Sequence, residues 1–247
     1  MLIHRFFQNI LSTLLDSIAP RHCLGNGNPI MSSDRFGNSM LSDDFIQSLE
    51  YAISSEKIIL HCNDILGEAN VVLKEIHAMY YFQQDEPIQN IMYLFKYNHF
   101  KRIGTAFGIL LGEYLLSQYK RLPEVIIPIP LHPVRQRERG FNQANIIAYE
   151  VGKVLKRPIL PSTVERRIYR DQQVHQKFFD RINYDEKMFF VRKKEDIQGK
   201  HVLLIDDVLT TGSTVNAVAK TLRNAGARRV DTAVICLTKS TNNNNAS

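Results

Sequence analysis

Cysteine is scarce in this chain, with three in 247 residues. The odd number and wide spacing of Cys23, Cys62 and Cys236 argue against a disulfide framework and favour a reducing compartment, so a cytoplasmic protein is expected. Long apolar runs are missing as well, and nothing approaches the roughly 20 residues that a spanning helix needs. The opening stretch MLIHRFFQNILSTLLDSIAP is interrupted by Gln8, Asn9 and Asp16 and is followed by no small-x-small cleavage site, which makes it a poor signal peptide. Neither G-x-x-x-x-G-K-[ST] nor G-x-G-x-x-G occurs, which removes the P-loop and the dinucleotide fingerprint from consideration. There is no internal repeat.

What remains is an ordinary globular composition, 44% hydrophobic and 23% charged, enough for one large domain or two unequal ones. A formal charge of +6 and a pI of 9.2 favour anionic partners such as phosphorylated metabolites or nucleic acid, without choosing between them. In the opening stretch Ile3, Phe6, Phe7, Ile10, Leu11, Leu14, Leu15 and Ile18 recur at helical spacing, giving an amphipathic helix whose face packs on the protein's own core or meets a membrane or partner. Residues 21–42 are rich in Gly, Asn and Ser and read as irregular chain; from Asp43 to His77 no element is secure.

From residue 87 the periodicity predicts two helices broken near Asn98, the first carrying Ile88, Ile91, Met92 and Phe95, the second Ile103, Phe107, Leu110, Leu111, Tyr114 and Leu115. EVIIPIP (124–130) follows as a buried strand stopped by prolines. Residues 141–156 form a helix with Ala144, Ile147, Ala148, Val151 and Leu155 on one face. HVLLIDD is a second buried strand, Val215 to Leu222 the next helix, capped by Gly226, and RVDTAVICL a third strand. Strands without polar alternation, separated by helices, make a parallel α/β sheet covered on both faces.

The most informative stretch is VLLIDDVLTTGST, Val202 to Thr214. In a parallel sheet ligands bind at the carboxyl ends of the strands, and Asp206 and Asp207 fall there. Because successive strand residues face opposite ways, two adjacent carboxylates serve one ligand only if the strand ends, so regular strand is expected to stop near Ile205. Thr210, Thr211, Gly212, Ser213 and Thr214 supply N–H groups and hydroxyls at the positive end of the next helix, a cradle for a phosphate monoester. Carboxylates beside a phosphate cradle describe a sugar phosphate, its vicinal hydroxyls on Asp206 and Asp207. Taken singly, the acids are turn formers and Ser213 an ordinary N-cap. An aspartyl phospho-acceptor site also uses paired acids after a strand, but needs no glycine and hydroxyl cradle.

VLLIDDVLTTGST resembles the 5-phosphoribosyl-1-pyrophosphate (PRPP) signature of type I phosphoribosyltransferases. With PIPLHPVRQRERGFNQ (128–143) it resembles the ComF/GntX family of amidophosphoribosyltransferase-like competence proteins, a similarity running from about Tyr80 to Lys239. The resemblance implies a type I phosphoribosyltransferase fold, a parallel sheet flanked by helices, over residues 81–240. It implies a small N-terminal zinc-ribbon-like module, degenerate here, over 1–80; residues 241–247 form a polar tail. It also implies PRPP as ligand with Mg2+, Asp206 and Asp207 as catalytic residues at the ribose, and Thr210 to Thr214 on the 5-phosphate.

Arg135, Arg137 and Arg139 follow a buried strand at the ligand-binding edge, and bidentate guanidinium groups suit pyrophosphate oxygens. In family terms this stretch resembles the pyrophosphate loop, with Arg139 the first choice; Arg135 and Arg137 read equally as solvated charges. Residues 163–188 form a long polar stretch where the family has its flexible loop, so Gln172, Gln173, Lys177 and Arg181 either close over the ligand or belong to a surface hairpin. The family's R-x-x-N is one residue short at Arg181-Ile182-Asn183, so no role passes to Asn183.

The family's zinc ribbon carries paired C-x-x-C motifs, but the matching places read Cys23-Leu-Gly-Asn26, Ser42-Asp-Asp-Phe45 and Cys62-Asn-Asp-Ile65. A tetrahedral site needs four ligands, and the neighbours His22 with Cys23 and His61 with Cys62 seldom converge on one ion, so no zinc is expected. Two functions stand: transfer of phosphoribosyl from PRPP to an unidentified nitrogen acceptor, or a non-catalytic PRPP sensor or single-stranded-DNA-binding protein of natural competence. A homodimer is compatible with both. No residue for the acceptor can be named from the sequence.

Overall fold

The computed structural model describes residues 21–31, 33–83, 86–97, 100–166 and 188–239. The expected N-terminal amphipathic helix, the polar tail, and the lid residues Gln172, Gln173, Lys177, Arg181 and Asn183 lie outside them. In chain order the elements are α1 (Asp43–Ser48), α2 (Ser55–Leu66), β1 (Ile76–Phe82), α3 (Pro87–Tyr97), α4 (Lys101–Gln118), β2 (Val125–Pro128), α5 (Pro133–Arg139), α6 (Gln143–Leu155), β3 (Val164–Arg166), β4 (Phe189–Val191), β5 (His201–Leu209), α7 (Ser213–Asn224) and β6 (Arg229–Thr238). Among the described residues no helix is long and apolar enough to cross a membrane.

Four strands pair in the order β1-β6-β5-β2, all parallel. Continuous apolar stretches such as Val202 to Ile205 suit strands buried on both faces. On one face α3, α4 and α6 bring Phe95, Phe107 and Ile147 against Leu203, Ile205 and Ile235. On the other, α2, α7 and the β3–β4 pair bring Ile58, Val218 and Phe189 against Val202, Leu204 and Val234. This is the type I phosphoribosyltransferase arrangement of a parallel sheet flanked by helices.

At the amino ends of the strands the sheet is closed by polar contacts around the buried Asp231. Its carboxylate accepts from the Tyr119 hydroxyl (3.0 Å) and from Arg229 Nε (3.0 Å), and lies 2.6 Å from His201 Nε2. Arg229 also reaches Glu75, which meets His77 Nε2 at 3.0 Å. These bonds hold Asp231 ionised despite its burial, and they leave the carboxyl ends as the open edge.

Three sequence expectations change. The stretch from Asp43 to His77 contains α1 and α2 and leads directly into β1, so the boundary drawn between residues 80 and 81 falls inside a strand. Regular strand does not stop at Ile205: β6 is long enough to keep pairing, Val208 with Cys236 and Leu209 with Leu237. Ser213 is not an N-cap either, since that position belongs to Gly212 in the left-handed region at φ 79°.

Around Cys23 the chain makes a tight turn, bridged between His22 and Pro29. The Cys23 sulfur accepts the N–H groups of Gly25 (3.4 Å) and Ser42 (3.3 Å), and Ser42 Oγ caps α1 by accepting from Phe45 N–H at 3.2 Å. The Phe45 ring is buried against Gly25, where any Cβ would collide with it.

Candidate functional site

The carboxyl ends of β2, β5 and β6, with α3, α5 and the start of α7, enclose a cleft of about 340 Å³. Asp206 and Asp207 both line it although the strand continues past them. Asp206 Oδ1 accepts the N–H of Asp207 at 2.9 Å. The Lys96 ammonium stands 3.1 Å from Asp207 Oδ2, but off the line of a hydrogen bond, so that oxygen is buried with a charge beside it and no donor aimed at it. Burial, and then the neighbouring Asp207 charge, push the Asp206 carboxyl up to about 8. The Asp206 carboxyl therefore favours its protonated form at neutral pH.

Thr210, Thr211, Gly212, Ser213 and Thr214 line the same cleft next to the acids. Gly212, the N-cap of α7, has no side chain to cap it, and apart from the Ser213 N–H, which donates to Thr211 Oγ1 at 3.4 Å, first-turn N–H groups stay available at the helix's positive end. Thr211 Oγ1 and Ser213 Oγ are 2.8 Å apart. A Cβ on Gly212 would stand 2.9 Å from Cys62 Sγ, and φ 79° is a conformation other residues adopt at a cost, so the turn requires glycine twice over. Its floor is α2, through Cys62 and Leu66.

In the same cleft, Arg139 is 7% exposed at the end of α5. Its Nη1 donates to Gln143 Oε1 at 3.1 Å, its guanidinium lies 5.1 Å from the Tyr97 ring centre, and Nε has no partner. No carboxylate pairs with it among the described residues. A buried guanidinium without a counter-charge is costly, and a bound anion relieves that cost. Arg135 is exposed but lines the cleft, whereas Arg137 is exposed and does not.

The structure thus brings Asp206, Asp207, Thr210 to Thr214 and Arg139 together and leaves Arg137 aside. Lys96, Gln143 and Arg166 also line the cleft and were not singled out in the sequence. Lys96 sits in a helix recognised only by its apolar face. Gln143 closes the RGFNQ motif and carried a usable signal. Arg166 ends a short strand whose placement nothing local announces.

Residues 137–245 match a family described as a phosphoribosyl transferase domain. Competence protein F of Haemophilus influenzae is 29% identical over 175 residues, 69% of this chain and 75% of its own length. DNA utilization protein YhgH of Salmonella typhimurium is 30% identical over 156 residues, 62% of this chain and 68% of its own. Competence protein ComFC of Bacillus subtilis is 26% identical over 157 residues, 64% of this chain and 61% of its own.

Proposed function

Because the chain belongs to the ComF family of phosphoribosyltransferase-like proteins, we propose that it binds PRPP in this cleft and transfers its phosphoribosyl group to a nitrogen acceptor. The observation that carries the reading is the buried Arg139, without a carboxylate partner among the described residues, lining one cleft with the paired acids and the Gly212 cradle. The 5-phosphate lies on the N–H groups and hydroxyls of Thr210 to Thr214. The ribose hydroxyls donate to Asp206 and Asp207. Arg139 and Arg135 receive the diphosphate. In the transfer, the acceptor nitrogen forms a bond to C1 of the ribose while the C1–O bond breaks, pyrophosphate leaves with the electron pair, and the nitrogen gives up a proton. The acids stabilise the positive charge that develops on the ribose.

Mg2+ fits this site as an ion carried by the diphosphate. No group of three or more metal-binding side chains converges among the described residues, and Asp207 offers one buried oxygen without a donor. Bound there, Mg2+ would supply neutralising charge to the leaving group. Zinc does not fit the N-terminal turn. In the first two of the matching pairs, Cys23 with Asn26 and Ser42 with Phe45, only Cys23 offers sulfur, and the buried Phe45 ring occupies the last position. The three free thiols support a cytoplasmic location.

Calorimetry with PRPP and Mg2+ tests the reading: binding with release of a proton is expected, and no binding would overturn it. The ribose needs ionised carboxylates, whereas Asp206 keeps its proton up to about 8. Affinity should therefore fall as the pH drops below 8, by up to about tenfold per unit, and level off above it. A flat profile from pH 6 to 9 removes the ribose role from Asp206.

A second reading, single-stranded DNA binding in competence without turnover, draws on the relatives' names and on Tyr93 and Tyr97. Their rings are 4.9 Å apart and the residues 59% and 47% exposed beside Arg139. DNA binding that weakens steeply with salt, with no pyrophosphate released, would favour it.

A further inference from the structure

RGFNQ, residues 139–143, joins α5 to α6. Gly140 ends α5 in the left-handed region at φ 72°. The Phe141 ring centre lies 6.1 Å from that of Phe95. Asn142 caps α6 by accepting the Ala144 N–H at 3.0 Å and donates to Ile129 O at 2.9 Å, which fixes the helix to the chain just past β2. Gln143 remains. It is 2% exposed, and both ends of its amide are used. Oε1 accepts from Arg139 Nη1 at 3.1 Å, and Nε2 donates to Lys96 O at 3.3 Å. The Lys96 carbonyl belongs to the last turn of α3, where a helix leaves carbonyls without partners of its own. One buried amide therefore spans two residues of the cleft: Arg139, whose guanidinium it holds, and Lys96, whose ammonium stands 3.1 Å from Asp207 Oδ2. The orientation of the amide follows from these neighbours. Reversed, it would turn its NH2 on a guanidinium and its oxygen on a carbonyl.

We infer that Gln143 is a positioning residue that aims Arg139 at the diphosphate and, being neutral, leaves the whole guanidinium charge to the ligand. This rests on the PRPP reading and deepens it, because it gives the cleft a residue that acts through another. Arginine has a long side chain with many rotamers, and a fixed acceptor beside it removes that freedom before the ligand arrives. A carboxylate would hold the guanidinium more firmly but would also take up its charge. An amide oxygen accepts one N–H and neutralises nothing. The second neighbour follows the same rule: the Tyr97 ring centre is 5.1 Å from the guanidinium carbon, and its hydroxyl accepts from Nη2 at 3.5 Å. Both side chains that position Arg139 are thus uncharged, and Nε keeps no partner.

The test compares Gln143→Glu and Gln143→Met, both close to glutamine in volume, with the wild type. Calorimetry with Mg2+ measures affinity for inorganic pyrophosphate, ribose 5-phosphate and PRPP, and circular dichroism checks the fold. Ribose 5-phosphate engages the acids and the cradle alone, so a positioning role for Arg139 leaves its affinity as in the wild type. Gln143→Glu, which hands Arg139 a counter-charge, is expected to weaken pyrophosphate binding about tenfold or more. Gln143→Met, which removes only the aim, is expected to weaken it less. Unchanged pyrophosphate affinity in Gln143→Glu overturns the inference, as does a larger loss in Gln143→Met than in Gln143→Glu. A parallel fall of both ligands in both variants also overturns it, since that marks an amide serving the fold alone. Should Gln143→Glu lose its fold, Gln143→Met decides: pyrophosphate weakened with ribose 5-phosphate retained upholds the role, and any other result removes it. If the wild type binds pyrophosphate but not PRPP, the wider reading falls and the variants still decide this one. If it binds PRPP but not pyrophosphate, the inference falls alone.

Discussion

Asp206→Asn with Asp207→Asn is expected to weaken PRPP binding at least about a hundredfold while leaving the fold intact. Each hydrogen bond from a hydroxyl to a carboxylate contributes about 1.5–3 kcal/mol, and two lost together amount to more than two decades of affinity. Calorimetry reads the affinity, and circular dichroism the fold. Unchanged affinity would remove both acids from the site. The single variant Asp206→Asn makes a sharper statement, because it is expected to raise the thermal midpoint. The folded protein holds the Asp206 proton up to about 8, far above an ordinary carboxyl. Between those values the native state binds more protons than the unfolded chain, so ionising Asp206 erodes stability as pH rises toward 8. Asparagine abolishes that loss, and the gain in midpoint should be largest above pH 8. A variant that binds less and melts later marks a group retained for its ligand.

Phe45→Ala is expected to destabilise the protein by about 3–5 kcal/mol, the range for emptying a buried aromatic site. Phe45 is 1% exposed, and its ring fills the turn where Cys23 and Ser42 meet. The consequence should appear in chemical denaturation, and adding Zn2+ should restore none of it. A loss under about 1 kcal/mol would mean that the turn collapses onto the vacated space. Full rescue by zinc would mean that Cys23 and its neighbours retain a metal site after all.

Most of the sheet was legible because its strands are apolar and flanked by clear helices. Val202 to Thr214 announced the acids and the cradle because strand, carboxylates, glycine and hydroxyls are contiguous in the chain. β1 escaped notice: His77, Tyr80 and Tyr81 dilute its apolar run, and only pairing with β6 makes it a strand. The same long-range pairing brings Phe82 beside Thr238, a neighbourhood no local spacing encodes. Lys96 was hidden for a related reason, since its meaning comes from α3 packing over Asp207. The expected end of β5 at Ile205 failed because alternation was applied to the two acids alone. Partner strand β6 keeps the ladder going, and the cleft wraps over both faces of the strand's end.

That β1 lies at the rim of the sheet has a practical corollary for anyone trimming this chain. A fragment beginning at Tyr81 would discard nearly the whole strand and bare the hydrogen-bonding edge of β6, ten residues long and apolar throughout its middle. Such a naked ladder recruits whatever strand it meets, usually from another copy. Insoluble material from that fragment would report a missing neighbour, and would say nothing against the cleft.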